Sequence, residues 1–248
     1  MGNKKGKPII LGHRGASKYA PENTMAAFEM ALEMGADGFE LDTMLSADGV
    51  PVVIHDERLE RTTNGSGRVA SKTLKRLRQL DAGSWLGERY SGERIPLLED
   101  VLANFKGRAL INIELKNYSH PFDGLTQKVL DLVKRDNMME QILISSFFPG
   151  NITFLQRTEP KIQAALLTTG GVFGRVLASR RFTFLSRQVI HPHKSICTRP
   201  YVAEQHQNNR KVNAWTVNEA EEIRELTLNG VDGIITDDPA LARKIAGG

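Results

Sequence analysis

The sequence predicts an α/β fold, specifically a closed (β/α)8 barrel (TIM barrel) with a small insertion after the second strand region. Short apolar runs typical of strands recur along the whole chain, and amphipathic helical patterns lie between most of them. The chain lacks the Gly-x-Gly-x-x-Gly turn of an open doubly wound sheet, which is the main alternative fold. Its 248 residues are a usual size for one barrel domain.

Nine strand-like runs outline the predicted barrel. They lie at residues 8–12, 38–45, 50–55, 109–116, 141–147, 162–168, 187–191, 211–217 and 232–236. Helical patterns fill most of the gaps. Residues 23–35 carry one apolar face and end at Gly35, and residues 218–230 end in the same way at Gly230. Strands that alternate with helices predict a parallel sheet, and about eight such units predict that the sheet closes on itself.

Residues 57–96 interrupt this alternation. They contain the turn sequences TNGSG and YSGE and only one short amphipathic stretch, around Leu77. We expect this segment to be a small insertion that caps one end of the barrel, not an independent domain. Residues 1–248 are therefore predicted to form a single domain that begins with a basic tail at residues 1–7.

The composition is typical of a soluble globular protein, with 40% hydrophobic and 25% charged residues. The N-terminal apolar run is too short for a signal peptide or a membrane helix, so we expect a cytoplasmic protein without stable membrane insertion. Lys4, Lys5 and Lys7 supply much of the net charge of +4, so no nucleic-acid partner is expected. The single cysteine, Cys197, excludes an intramolecular disulfide and a thiolate zinc cluster. A homo-oligomer remains compatible with these features.

Polar side chains stand at the ends of several predicted strands, where barrel enzymes carry their active sites. The set comprises His13 and Arg14 after the first strand, Glu40 and Asp42 in the second, His55 after the run at 50–55, and Glu114 and Lys116 in the run at 109–116. Residues two positions apart face the same side of a strand. We therefore expect these side chains to converge on one mouth of the barrel.

The three carboxylates Glu40, Asp42 and Glu114 predict a metal site. Like charges at close range raise one another's pKa, so three carboxylates in a barrel mouth require a cation to remain ionised together. Oxygen ligands on rigid strands favour Mg²⁺ or Ca²⁺ over zinc. The alternative is a stabilising ion-pair network in which the carboxylates pair with Arg14 and Lys116.

Two histidines at neighbouring strand ends suit acid–base chemistry. His13 and His55 can supply the base and the acid of a displacement reaction, because imidazole titrates near neutral pH. Arg14 and Lys116 suit an anionic group such as a phosphate. Trp215 forms either an apolar wall of the site or part of the core.

These residues and motifs, in this order, resemble the glycerophosphodiester phosphodiesterase family. The matching motifs are GHRG, APENT, ELDTMLSADGVPVVIHDERLERTTNG, GERIPLLEDVL, NIELK, NAWTVN and VDGIITDDP, which run from about residue 9 to residue 240. The resemblance implies a TIM barrel with a small insertion, one divalent cation, and hydrolysis of glycerophosphodiesters to sn-glycerol 3-phosphate and an alcohol.

The resemblance also implies a role for each matching residue. It implies that His13 and His55 are the catalytic pair, that Glu40, Asp42 and Glu114 bind the metal, that Arg14 and Lys116 contact the phosphate, and that Trp215 is the aromatic wall, with Glu22 and Asn23 in the adjacent PENT turn. The segment VFGRVLASRRFTFLSR (172–187) has no clear counterpart in the family pattern, and Phe148 replaces an expected aspartate, so the choice of leaving alcohol stays open.

Two other functions are compatible with this sequence. The first is a lyase on the same scaffold that releases a cyclic phosphate, as in the related venom phospholipases D. The second is a non-catalytic barrel that binds phosphate. All eight of the carried-over catalytic, metal and substrate-binding residues are present, which argues against the second.

Overall fold

The protein is described by a computed structural model that covers residues 7–247. The predicted basic tail therefore lies outside the described residues, except for Lys7. The elements are β1 (Ile9–Gly12), α1 (Met25–Glu33), β2 (Gly38–Leu45), β3 (Pro51–Val53), α2 (Leu74–Leu77), α3 (Leu98–Phe105), β4 (Leu110–Leu115), α4 (Leu125–Arg135), β5 (Ile142–Ser146), α5 (Pro149–Thr158), β6 (Gln163–Thr168), α6 (Gly171–Ala178), β7 (Val189–Pro192), α7 (Arg199–Gln207), β8 (Lys211–Ala214), α8 (Ala220–Asn229), β9 (Gly233–Thr236) and α9 (Pro239–Gly247). Short 3₁₀ helices occur at Val69–Ser71, Glu88–Tyr90, Arg180–Leu185 and Lys194–Ile196.

Eight parallel strands close into a barrel, which confirms the predicted fold class. The order around the ring is β1, β2, β4, β5, β6, β7, β8 and β9, and β9 pairs with β1 to close it. Helices follow the strands and lie outside the ring, as in a (β/α)8 barrel.

The run at residues 50–55 is not a strand of the ring. Only Pro51–Val53 forms a strand, β3, and it pairs antiparallel with the end of β2. The turn between the two strands is tight, with Ser46 N–H donating to Val50 O and Gly49 at φ 75°. So short a connection allows only an antiparallel return, because a parallel crossover needs a dozen or more residues. This hairpin places His55 beside the end of β2.

Alternation along the strands separates the apolar layer from the polar interior. Phe39 and Leu41 of β2 point outward into the main apolar core, where Phe39 stacks on Phe28 of α1 at a ring distance of 4.3 Å. Glu40 and Asp42 occupy the other face of the same strand and are buried inside the barrel. Burial of both faces explains why β2 reads as a nearly continuous apolar run interrupted by two carboxylates.

The predicted insertion at residues 57–96 has a small apolar core of its own. Leu59, Val69 and Leu77 are fully buried there, against residues of the β2–β3 hairpin. The segment also packs on the loop between β1 and α1, where Tyr90 donates a hydrogen bond from its hydroxyl to Tyr19 O at 2.7 Å. The insertion thus lies at the end of the barrel where the strands have their carboxyl ends.

The longest described helix, α4, has 11 residues. Between residues 7 and 247, no helix combines the length and the apolar character needed to cross a bilayer.

Candidate active site

The predicted polar residues come together at the carboxyl end of the barrel. Asp42 on β2 and Glu114 on β4 are direct neighbours in the strand register. Glu40 precedes Asp42 by two residues and therefore lies on the same face of β2. His13 and Arg14 follow β1, which lies on the other side of β2. The site is therefore built mainly by three adjacent strands and the loops that leave them.

The three carboxylates form a buried cluster. Each of Glu40, Asp42 and Glu114 offers one oxygen, and these oxygens all lie within 4.8 Å of one another. Burial and the neighbouring charges of Asp42 and Glu114 raise the pKa of Glu40 well above its usual value. Burial also opposes ionisation of Asp42, but the charges of Arg14 and Lys116 outweigh it and lower the pKa of Asp42.

The ion pairs expected as an alternative to a metal also form, but they do not satisfy the cluster. Arg14 Nε lies 3.3 Å from Asp42 Oδ2, and Lys116 Nζ lies 3.2 Å from Glu114 Oε1 and 3.7 Å from Asp42 Oδ1. Glu40 Oε1 is buried and accepts no hydrogen bond from any described residue. A buried carboxylate oxygen without a partner is costly, so this atom is a candidate ligand for a cation.

The donor set fits a hard divalent cation. All candidate ligand atoms are carboxylate oxygens, and Glu40 Oε1 accepts no hydrogen bond from a described residue. Thiolate and imidazole ligands, which zinc prefers, are absent from the cluster of described residues. A divalent ion here would offset the repulsion among the three acids.

Two turns hold the carboxylates in place. Arg14 adopts a left-handed conformation, with φ 56°, and in that conformation its backbone N–H donates to Glu40 Oε2 at 2.9 Å. Asn23 also has a positive φ, 58°, and donates from Nδ2 to Asp42 Oδ2 at 2.9 Å. Non-glycine residues rarely adopt this conformation, and the surrounding structure must meet its cost.

Each histidine is held by a carboxylate through Nδ1. His13 Nδ1 lies 2.6 Å from Asp237 Oδ1, and His55 Nδ1 lies 2.6 Å from Asp56 Oδ1. Burial would raise the pKa of Asp237, but its hydrogen bonds with His13 and Asn218 lower this pKa to about 2. An ionised carboxylate accepts the Nδ1 proton, so Nε2 is the ring nitrogen that faces the site in both histidines, and Nε2 of His55 lies 3.1 Å from Lys116 Nζ.

Arg61 of the insertion links the two sides of the site. It donates to Glu22 at 2.7 and 2.8 Å and to Asp56 at 2.6 and 3.1 Å. Glu22 in turn accepts from Arg14 Nη1 at 2.8 Å. The insertion therefore orients both a phosphate-binding candidate, Arg14, and the partner of His55.

A row of aromatic rings forms one wall of the mouth. Tyr118 donates from its hydroxyl to Glu114 Oε1 at 2.6 Å, and burial raises the pKa of Tyr118, which keeps it a donor. Phe147 packs edge-on between Tyr118 and Trp215, at ring distances of 5.9 and 5.3 Å. Trp215 is half-buried, and its Nε1 donates to His191 O at 2.9 Å. Trp215 is thus anchored to the barrel and also contributes to this wall.

Two cavities open beside residues of the site. One, of about 420 Å³, is lined by His13, Arg14 and Asp237, among others, and the second, of about 310 Å³, contains Lys116 and Glu57. The first cavity therefore gives His13 and Arg14 access to a bound molecule.

Three site residues were not singled out from the sequence. Asp237 follows β9, so the rule that identified His13 at a strand end could have found it. Tyr118 follows β4 in the same way, two residues after Lys116. Arg61 carries no such signal, because it reaches Glu22 only through the folding of the insertion.

Comparison with known proteins identifies the family. Residues 13–241 match the model of the glycerophosphoryl diester phosphodiesterase family. A glycerophosphodiester phosphodiesterase from Caldanaerobacter subterraneus is 39% identical over 234 residues, which are 94% of this chain and 95% of that protein. One from Bacillus altitudinis is 37% identical over 240 residues, with 95% of this chain and 97% of that protein covered.

Solved structures agree with the sequence relatives. A glycerophosphodiester phosphodiesterase from Agrobacterium tumefaciens has a TM-score of 0.82 at 31% identity, and the match covers 97% of this chain and 100% of the other. An Oleispira antarctica phosphodiesterase, determined in complex with the product sn-glycerol-3-phosphate, has a TM-score of 0.83 at 30% identity over 98% of both chains. With a barrel of this topology and a nearly full-length match, the chain belongs to the glycerophosphoryl diester phosphodiesterase family.

Proposed function

We propose that the protein hydrolyses glycerophosphodiesters to sn-glycerol 3-phosphate and an alcohol, with one divalent cation, Mg²⁺ or Ca²⁺, held by Glu40, Asp42 and Glu114. The observation that carries this proposal is the buried carboxylate cluster with its open oxygen, Glu40 Oε1, at the same mouth as the two carboxylate-bound histidines. The product found in the Oleispira antarctica relative supports the same substrate class.

The substrate phosphate is bound by two positively charged side chains, Arg14 and Lys116. Arg14 Nη1 donates to Glu22, and Nε lies 3.3 Å from Asp42 without forming a hydrogen bond to it. Nη2 donates to no described residue, so it is available to a phosphate oxygen. Lys116 contributes a second positive charge close to the carboxylates. When bound, the divalent cation supplies electrostatic stabilisation of the negative charge that develops on the phosphoryl oxygens.

The histidines move the protons. His13 Nε2 removes a proton from the attacking group, either a water whose oxygen bonds to phosphorus as the bond to the alcohol oxygen breaks, or a glycerol hydroxyl whose cyclic phosphate a water then opens. Asp237 stabilises the imidazolium that forms. His55, with a proton on Nε2, donates it to the leaving alkoxide, and Asp56 fixes the orientation of its ring through the 2.6 Å contact at Nδ1. Lys116 Nζ, 3.1 Å from Nε2, turns to the phosphate when Nε2 carries this proton. Protonation of the leaving group is needed because an aliphatic alkoxide is a poor leaving group.

A pair of substrates separates the two histidine roles. Glycerophosphocholine has an aliphatic leaving group, whereas glycerophospho-p-nitrophenol releases a phenolate that leaves without protonation. We expect His55→Ala to lose roughly 100-fold or more in turnover on the first substrate and far less on the second. His13→Ala should lose activity on both. The reverse pattern would exchange the roles, and wild-type turnover of both variants would contradict the proposal.

Removal of the metal tests the carboxylate cluster. Treatment with EDTA should abolish turnover of glycerophosphodiesters, and added Mg²⁺ or Ca²⁺ should restore it. Added metal should not restore the activity of Glu114→Gln. The matched variant Glu99→Gln changes an exposed side chain of α3 and should behave as wild type. Phosphorus NMR of the product distinguishes hydrolysis from release of a cyclic phosphate, and a persistent cyclic product would reject the hydrolase.

A further inference from the structure

The segment from α6 through the following 3₁₀ helix exposes large apolar side chains. The exposed fractions are 81% for Val172, 73% for Phe173, 48% for Val176 and 59% for Phe184. Single exposed apolar residues are common on protein surfaces, but a group of this size within 13 residues is not. This is also the segment of the sequence that has no counterpart in the family pattern.

Helix α6 turns its large apolar side chains away from the barrel, unlike an ordinary surface helix. Its small residues, Gly174 and Ala178, face the barrel and are buried. A side chain at position 174 would not fit, because a Cβ there would lie 1.7 Å from Thr169 O. A surface helix normally turns its bulky apolar residues inward, whereas α6 turns Val172, Phe173 and Val176 toward the outside. The close packing of Gly174 therefore keeps these three apolar side chains on the solvent side of α6.

The charges carried by this segment itself are all positive, and among them Arg180 faces a carboxylate of α7, Glu204, at 3.8 Å. Residues 160–203 contain seven of the 33 Lys and Arg residues of the chain and none of its 29 Asp and Glu residues, so the rest of the chain is net acidic. Arg175, Arg181 and Arg187 are exposed and form no ion pair with any residue between 7 and 247. The arginines thus surround the exposed apolar side chains with unpaired positive charge.

The segment adjoins the mouth of the barrel. Gly170, immediately before α6, is so close to His193 that a Cβ at this glycine would lie 3.2 Å from His193 Nδ1. His193 in turn packs edge-on against Trp215 at a ring distance of 5.8 Å. The exposed residues therefore continue the aromatic wall of the site toward the outside.

We propose that this surface, the α6 patch, binds reversibly to an anionic lipid bilayer. The α6 patch comprises Val172, Phe173, Val176 and Phe184 together with Arg175, Arg181 and Arg187. Exposed apolar side chains flanked by Arg or Lys are the features of segments that lie in the interface of a bilayer, where the apolar groups enter the acyl boundary and the cations attract anionic headgroups. Binding of this kind needs no helix that spans the membrane.

Two other partners, a second copy of this chain and a nucleic acid, match the α6 patch less well. In a symmetric dimer the α6 patch would contact its own copy, which would bring two sets of three arginines together, and Arg175, Arg181 and Arg187 have no carboxylate partner among the described residues. A nucleic acid would use the arginines but would leave Val172 and Val176 in water. Only a lipid surface matches both the charge and the apolar groups.

Flotation with lipid vesicles tests the proposal directly, on the full chain loaded with its divalent cation. The wild type should bind vesicles of equimolar phosphatidylglycerol and phosphatidylcholine, bind pure phosphatidylcholine vesicles weakly, and dissociate as salt rises. Phe173→Ser/Phe184→Ser should weaken binding at least about tenfold. Arg175→Glu/Arg181→Glu/Arg187→Glu should weaken it roughly a hundredfold.

Two control variants make the test specific. Leu228→Ser removes an equally exposed apolar side chain from α8, and Arg76→Glu reverses a charge on the insertion, so both should bind as wild type. All variants should retain turnover of soluble glycerophosphodiesters, because none touches the site. The proposal is wrong if the wild type does not bind anionic vesicles, if patch and control variants bind equally, or if sedimentation shows that the patch variants instead dissociate a dimer. Failure of the proposed activity would leave the vesicle result unaffected.

Discussion

At the scale of single residues, the contact at Nδ1 decides what each histidine can do. Asp237 and Asp56 hold His13 and His55 at the same distance, 2.6 Å, although one pair is separated by 224 positions in the chain and the other by one. The carboxylate selects the tautomer with the proton on Nδ1 and leaves Nε2 for the reaction. In the proposed mechanism these aspartates are positioning residues, since they act through the histidines.

Substitution of Asp237 tests this positioning. Asp237→Asn presents a donor or a weaker acceptor to His13 Nδ1, so we expect kcat to fall about 100-fold while KM changes little. A merely structural role would instead lower the thermal stability without this separation of kcat from KM. Ser17→Ala removes another hydrogen bond to Asp237, of 2.9 Å, and leaves His13 in place, so it should keep near-wild-type kcat.

His191 is a histidine with a different role. It is fully buried in the barrel wall, and its Nε2 accepts a hydrogen bond from Asn213 Nδ2 at 3.0 Å. Burial lowers the pKa of His191 to about 3. The folded protein therefore keeps His191 neutral in a range of pH where the unfolded chain binds a proton.

The buried His191 predicts a loss of stability in mild acid. Below about pH 6.5 the unfolded state takes up a proton at this histidine and the folded state does not, until pH falls to about 3. Between about pH 7.5 and about pH 5.5 the wild type should lose roughly 1.4 kcal/mol more unfolding free energy than His191→Gln, as measured by urea denaturation at saturating metal. His120→Gln, in an exposed loop, keeps His191 and should keep the steeper dependence. Equal slopes for wild type and His191→Gln would contradict this prediction.

At the scale of elements, the start of α1 connects a helix cap to the site. Thr24 is the N-cap residue: its hydroxyl oxygen accepts from Ala27 N, and its hydroxyl donates to Pro21 O at 2.6 Å. The preceding residue, Asn23, holds Asp42. The cap therefore fixes the turn that orients one metal-ligand candidate.

Two threonine variants measure the value of this cap. Thr24→Ala should lower the unfolding free energy by about 1 kcal/mol, because the first turn of α1 loses its side-chain acceptor. Thr73→Ala is the matched control, since Thr73 occupies the N-cap position of α2 but makes no capping hydrogen bond with its side chain. Denaturation that shows equal losses for both variants would exclude the cap as the cause.

At the scale of the whole molecule, closure of the barrel brings the two ends of the chain into one site. The pairing of β1 with β9 places His13 beside Asp237, and the pairing of β2 with β4 places Asp42 beside Glu114. Burial of three neighbouring carboxylates lowers the unfolding free energy of the whole barrel, because the strands that hold them also form the barrel wall.

Metal binding should therefore stabilise the fold. A cation present at about 100 times its Kd should add about 2.7 kcal/mol, or a rise in Tm of roughly 5–10 °C for a protein of this size. Glu40→Gln removes one charge and the unpartnered oxygen, so it should lose this rise without lowering the Tm of the metal-free protein. Glu99→Gln should keep the rise. An unchanged metal-induced shift in Glu40→Gln would show that the cluster does not bind the ion.

Much of this architecture could be predicted from the sequence. All eight strands of the ring coincide with predicted apolar runs, because alternation of outward apolar and inward polar residues is a local property. The remaining run, at 50–55, was also a strand, but its antiparallel pairing depends on the tight turn at Ser46–Gly49 and not on its own composition. The bounds 57–96 of the insertion stay a prediction, and the sequence did not predict that Arg61 would reach from this segment to Glu22.

The sequence by itself determined the alternation of strands and helices and the set of polar residues at the strand ends, including His13, Glu40, Asp42 and Glu114. Both follow from side-chain periodicity along a strand, which is readable from neighbouring residues. Only the tertiary structure decided which groups face each other: the bond of His13 to Asp237, the open oxygen of Glu40, and the outward orientation of α6. These depend on distances between residues far apart in the chain, which are fixed only when the barrel closes.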